Sequence, residues 1–108
     1  MEQLVVKEKS GTNYALFELT GSITAYTLAN LPERVYGTVR DIHVVLDLSK
    51  TDEIDYSGLG FIMASFNDAE HAGNKLFLLS PSPESLRALS ETGFIDVFHI
   101  IHSLAELI

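Results

Sequence analysis

The sequence predicts a single α/β domain: a mixed, mainly parallel β-sheet of about five strands packed by about four helices. Three observations predict it. After residue 20, apolar runs of strand length alternate with segments of helical periodicity. A chain of 108 residues supports one core and buries about two thirds of the surface that it exposes when unfolded. Hydrophobic residues, 46% of the total, run through the whole length without a low-complexity stretch, so one ordered domain over residues 1–108 is expected.

The elements follow in order. Gln3 to Lys7 and Tyr14 to Leu19 are rich in strand formers, and the turn residues of Lys9-Ser10-Gly11-Thr12-Asn13 between them predict an opening hairpin. From Ala25 to Val39, Leu28, Leu31 and Val35 recur at helical spacing, but Pro32 requires the helix to begin beside it or to kink there. His43 to Leu48 is a continuous apolar run, expected of a central strand covered on both faces. Leu59, Ile62, Met63 and Phe66 form the stripe of a second helix ending near Gly73, and Lys75 to Leu79 is the next strand. Ser82-Pro83-Glu84 supplies a cap, a first-turn proline and an early acid for a third helix with Leu86 and Leu89 on its buried face and Gly93 at its end. Val97 to Ile101 reads as a last short strand, and Ser103 with Glu106 as the capping box of a terminal helix.

Composition narrows function. Seven Lys and Arg against fifteen Asp and Glu give a formal charge of −8 with no basic cluster, so direct nucleic-acid binding is not expected. The absence of cysteine removes disulfides and thiolate metal sites and fits a cytoplasmic location. No run reaches the length of a membrane span, and the first residues lack a basic start followed by a long apolar stretch, so no membrane insertion is expected.

Chemistry concentrates on Asp55-Tyr56-Ser57-Gly58-Leu59-Gly60, where right-handed crossovers bring the loop after the central strand to the carboxyl edge of the sheet. Taken alone, a serine before a helix is most simply a cap. Asp55 could cap the turn or orient Ser57, and Gly58 and Gly60 leave backbone open to a partner or permit tight packing. The segment is no phosphate-cradling loop, since Gly58-Leu59-Gly60-Phe61 lacks the Lys-Ser/Thr or further Gly of nucleotide motifs. Nor is it a nucleophile elbow, for the required Gly does not precede Ser57 and no His–Asp pattern accompanies it. His43, His71, His99 and His102 are dispersed, and no metal or cofactor is expected.

Leu46-Asp47-Leu48-Ser49 followed by Ile54 to Gly60 resembles the STAS family of sulfate-transporter and anti-sigma-factor-antagonist domains. Its members carry a Leu-Asp-Leu strand and then Asp-Ser-Ser-Gly-Leu-Gly opening a helix, from which the stretch here departs only at Tyr56. Gly21, the Lys75 to Leu79 strand and the Thr92-Gly93-Phe94 turn extend the resemblance over nearly the whole chain. It implies a non-enzymatic antagonist that binds an anti-sigma factor serine kinase while Ser57 is unmodified, frees a sigma factor, and is switched off by phosphorylation of Ser57 and reset by a phosphatase. It also implies a docking surface of Thr24, Asp55, Tyr56, Gly58, Leu59 and Gly60. Thr24 stands where many antagonists have Asp, and Tyr56 where they have a small Ser. The alternative is a non-catalytic subunit of a transport ATPase or of a signalling scaffold, as in other members.

Overall fold

The computed structural model describes residues 3–107. Strand β1 (Leu4–Ser10) turns through Gly11 to Asn13 into the ten-residue β2 (Tyr14–Ile23), the expected antiparallel hairpin. Helix α1 (Leu31–Val39) begins at Leu31 with Pro32 in its first turn, so the proline starts the helix and does not kink it. Residues 25–30, which a helix kinked at Pro32 would have included, form a loop. Strand β3 (His43–Asp47), a short turn and β4 (Thr51–Ile54) lead to helix α2 (Tyr56–His71). Then come β5 (Leu76–Leu79), α3 (Pro83–Glu91), a 3-10 turn at Ile95–Val97, β6 (His99–Ile101) and a second 3-10 turn at Leu104–Leu107.

The sheet has six strands in the order β1-β2-β3-β5-β6, with β4 added beside β2. Only the β1–β2 pairing is antiparallel among the described residues. The class is the one expected, with one strand more and one α-helix fewer. The additional strand is β4, whose inward Thr51 and Ile54 flank exposed Asp52 and Glu53; four residues so mixed carry no apolar run. The expected terminal helix is the 3-10 turn at Leu104–Leu107, where Glu106 does accept the backbone N–H groups of His102 and Ser103 as a capping box requires.

The long β2 spans two neighbours. Its first half pairs with β3, and its last residues, Gly21 to Ile23, pair with β4 after an irregularity between Gly21 and Ser22. Gly21 is required there: its φ is +111°, and a Cβ would fall 2.2 Å from the carbonyl oxygen of Gln3. The main core joins Phe17, Leu19 and Ile23 of β2, Val44 and Leu46 of β3 and Leu76 and Leu78 of β5 to Val35, Ile62 and Leu89 of the helices. A smaller cluster on the other sheet face, Leu16, Val45, Leu79 and Ile101, is covered by Leu104 and Leu107. Leu86, expected on the buried face of α3, is exposed, and Ser85 is buried beside Leu89 instead.

Candidate functional site

Parallel pairing of Ile23 with Ile54 ends β2 and β4 side by side, so the loops that leave them share one edge of the sheet. Thr24 and the Asp55 to Gly60 segment are therefore neighbours, as the strand arithmetic anticipates, although the strand responsible is β4 and not β3.

Asp55 is the N-cap of α2. Its Oδ1 accepts the N–H of Gly58 at 2.9 Å, and its Oδ2 accepts the N–H of Ala25, thirty residues away, at 3.1 Å. The backbone N–H of Asp55 donates to the carbonyl of Ile23, and that of Leu59 to the carbonyl of Asp55. One carboxylate thus satisfies a helix-start donor and clasps the loop after β2 to the helix. Of the two roles open to Asp55 in the sequence, capping is the one the hydrogen bonds display.

Across the clasp, Thr24 is only 1% exposed. Its N–H donates to Thr27 Oγ1 at 2.9 Å, and its hydroxyl oxygen accepts the N–H of Tyr26 at 3.2 Å. The Thr27 hydroxyl lies 2.7 Å from the Ser22 carbonyl as its donor. These bonds hold the loop in a fixed turn that carries Tyr26 at 90% exposure.

Ser57 is the second residue of α2, two residues beyond the cap, and is exposed. Its hydroxyl has no hydrogen-bond partner among the described residues, because Asp55 already holds the cap position. Tyr56 beside it is 91% exposed, and Gly60 is exposed with open space where a Cβ would stand. Three other residues expected at the docking surface lie inward. Thr24 supports its turn, Leu59 belongs to the core, and Gly58 is buried where a Cβ would fall 2.3 Å from the backbone oxygen of Ile23. Of the two roles open to Gly58 in the sequence, tight packing is the one that the structure displays.

Three of the four histidines are engaged elsewhere: the His43 ring accepts the N–H of Lys75, that of His71 pairs with the Asn67 carbonyl, and that of His99 lies 3.4 Å from Glu70. Sequence reasoning missed Tyr26, which lay in a stretch with helical apolar spacing. The signal that finds it is Pro32 as a first-turn proline, which puts everything before Leu31 outside the helix.

Fold and site together define a small α/β domain that presents one unencumbered hydroxyl on a helix start, with no base hydrogen-bonded to it among the described residues. The profile of the STAS domain matches residues 3–107, and the chain belongs to the STAS domain family. It is similar to the anti-sigma-B factor antagonist of Listeria monocytogenes, 28% identical over 104 residues that cover 94% of this chain and 90% of that one. In fold it is similar to an anti-sigma factor antagonist from Mycobacterium paratuberculosis, with a TM-score of 0.81 at 18% identity over 95% of this chain and 89% of the other. It is also similar to SpoIIAA of Bacillus in its unphosphorylated form, with a TM-score of 0.80 at 14% identity over 95% and 92% of the two chains. The phosphorylated form of SpoIIAA gives 0.75, at the same identity, over 95% and 96%. Among the described residues no helix is long and apolar enough to cross a membrane.

Proposed function

We propose that this chain is an anti-sigma-factor antagonist, binding an anti-sigma factor serine kinase while Ser57 is unmodified and released from it by phosphorylation of Ser57. The observation that carries the reading is the free hydroxyl of Ser57 at an exposed helix start, spared from structural duty by the Asp55 cap. The named functions of the Listeria relative and of the SpoIIAA structures support the same role.

The kinase transfers the γ-phosphoryl group of ATP to Ser57 Oγ; ADP leaves, and the hydroxyl proton passes to a base on the kinase. The chain is the substrate and catalyses nothing. Its helix tolerates the product, since Asp55 takes the Gly58 donor and the phosphate adds its charge at the positive end of the helix dipole. Release follows from charge. A phosphate adds about −1.5 to −2 beside Asp55 on a protein that already carries a formal −8, so a surface that accepted a neutral hydroxyl must now desolvate or repel a dianion. A phosphatase acting on phosphorylated Ser57 returns the chain to its binding form, and the cytoplasm is where these partners meet.

In this reading the docking surface is the exposed set Tyr56, Ser57 and Gly60, shaped from beneath by Thr24, Asp55, Gly58 and Leu59. The test is incubation of the wild type and Ser57→Ala with ATP and the purified serine-kinase anti-sigma factor encoded in the same genome, read by intact-mass and peptide mass spectrometry. One phosphate per chain, located on Ser57 and absent from Ser57→Ala, is expected. An unmodified wild type, or a phosphate placed elsewhere, contradicts the reading.

A further inference from the structure

We infer that Tyr26 and Tyr56 are paired aromatic anchors that select the kinase partner, each seating in an apolar socket with a basic rim on that partner's surface. The inference rests on the proposed switch at Ser57 and adds which residues set its specificity.

At 90% and 91%, these rings are far more exposed than the other large hydrophobic side chains of the described residues, of which Phe94 at 52% comes next. Packing within the chain gives no reason for either ring to be aromatic. Their backbones, by contrast, are fixed. Tyr26 stands on the turn closed by Thr24 and Thr27, Tyr56 on the first residue of α2, and the two oxygens of Asp55 tie the residue before Tyr26 to the turn that carries Tyr56. Rings held on rigid backbone lose little conformational freedom on docking, and tyrosine is enriched among the residues that dominate binding energy. Tyr56 adjoins Ser57 in α2, and Asp55 joins the loop of Tyr26 to the same helix start, so a surface that grips both rings brings its own catalytic groups to the hydroxyl.

Charge identifies the sockets. Two clefts flank Tyr56: one is formed with Leu59, Met63 and Phe94, the other with Ile54 and Ala88. Asp55 and Glu91 are the charged residues that line them, and no Lys or Arg does so among the described residues. A partner that places Arg or Lys around Tyr56 gains from these carboxylates, and at either exposed ring it gains from cation–π contact with the ring face. In the family pattern the position of Tyr56 carries a small Ser, so this anchor distinguishes the chain from relatives that share the acceptor serine.

The experiment titrates the purified serine-kinase anti-sigma factor of the same genome with wild type, Tyr26→Ala, Tyr56→Ala and the double variant, with phenylalanine variants, thermal melts and Ser57 phosphorylation rates in parallel. Each alanine variant is expected to bind about tenfold more weakly, with melting within about 2 °C of wild type, and each phenylalanine variant to recover most of the affinity. A wild type that binds and is phosphorylated on Ser57, with alanine variants that bind within about twofold of it, overturns the anchors and leaves the switch standing. A wild type that is neither bound nor phosphorylated overturns both.

Discussion

Helices α2 and α3 both start at the carboxyl edge of the sheet, and each has a serine at or near its first turn. At α3 the serine is the cap itself. Ser82 is buried, accepts the N–H of Ser85 at 3.1 Å, lies 2.9 Å from the Ser85 hydroxyl and donates to the carbonyl of Thr51, tying the helix to β4. At α2 the cap is Asp55, and Ser57, two residues further on, is exposed and makes no hydrogen bond among the described residues. The same side chain is thus consumed by the fold at one helix and presented to solvent at the other. What separates them is an acid at the cap position, which takes over the donor a capping serine would have satisfied. A neighbour that takes over the structural task leaves a serine exposed and unbonded.

The comparison can be broken at several points, the largest effect coming from beneath the site. Gly58→Val forces a side chain against the Ile23 backbone and should cost about 1–3 kcal/mol or more, lowering the melting midpoint by roughly 4–8 °C per kcal/mol. A melt like that of the wild type would show that the helix start can retreat from β2. Next is Ser82→Ala, which removes the cap and strands the buried Thr51 carbonyl, for about 1–2 kcal/mol by denaturant titration. Asp55→Ala should cost about 1 kcal/mol and also free the loop after β2, so the amides of Ala25 and Gly58 should exchange hydrogen faster while those of the α3 start do not change. Uniform acceleration would mean that the clasp is not local. Smallest is Ser57→Ala, expected within about 0.5 kcal/mol of wild type. A cost equal to that of Ser82→Ala would erase the distinction between the two serines.

Much of this was legible in the sequence. The continuous apolar run from His43 and the stripe from Leu59 locate β3 and α2, and Ser82-Pro83-Glu84 locates α3, because burial and capping leave periodic marks. Ser57 is visible through the resemblance of Ile54 to Gly60 to the STAS pattern, since taken alone it reads as a cap. What was hidden depends on tertiary pairing. Strand β4 has only four residues, two of them acidic and exposed, and it exists because β2 is long enough to pair with it beyond β3. Without β4, nothing in the sequence tells that Asp55 and not Ser57 closes the helix, or that its second oxygen reaches Ala25. Leu28, Leu31 and Val35 suggested a helix from Ala25 and so concealed Tyr26, which owes its exposure to the turn that Thr24 and Thr27 close. Thr24 itself is buried and braces that turn, which only its burial and hydrogen bonds reveal.

The central claim is that Ser57 is held in reserve for a charge switch, and isothermal titration of the kinase partner with unmodified and with Ser57-phosphorylated protein tests it most directly, with thermal melts of both forms alongside. Because the hydroxyl makes no hydrogen bond among the described residues, phosphorylation should leave the melting midpoint within about 3 °C of the unmodified protein. Affinity, in contrast, should fall by about a hundredfold or more, the scale of roughly 3 kcal/mol expected when an uncompensated dianion enters an interface. Equal affinities for the two forms, or a fall in affinity matched by an equal loss of stability, would contradict it.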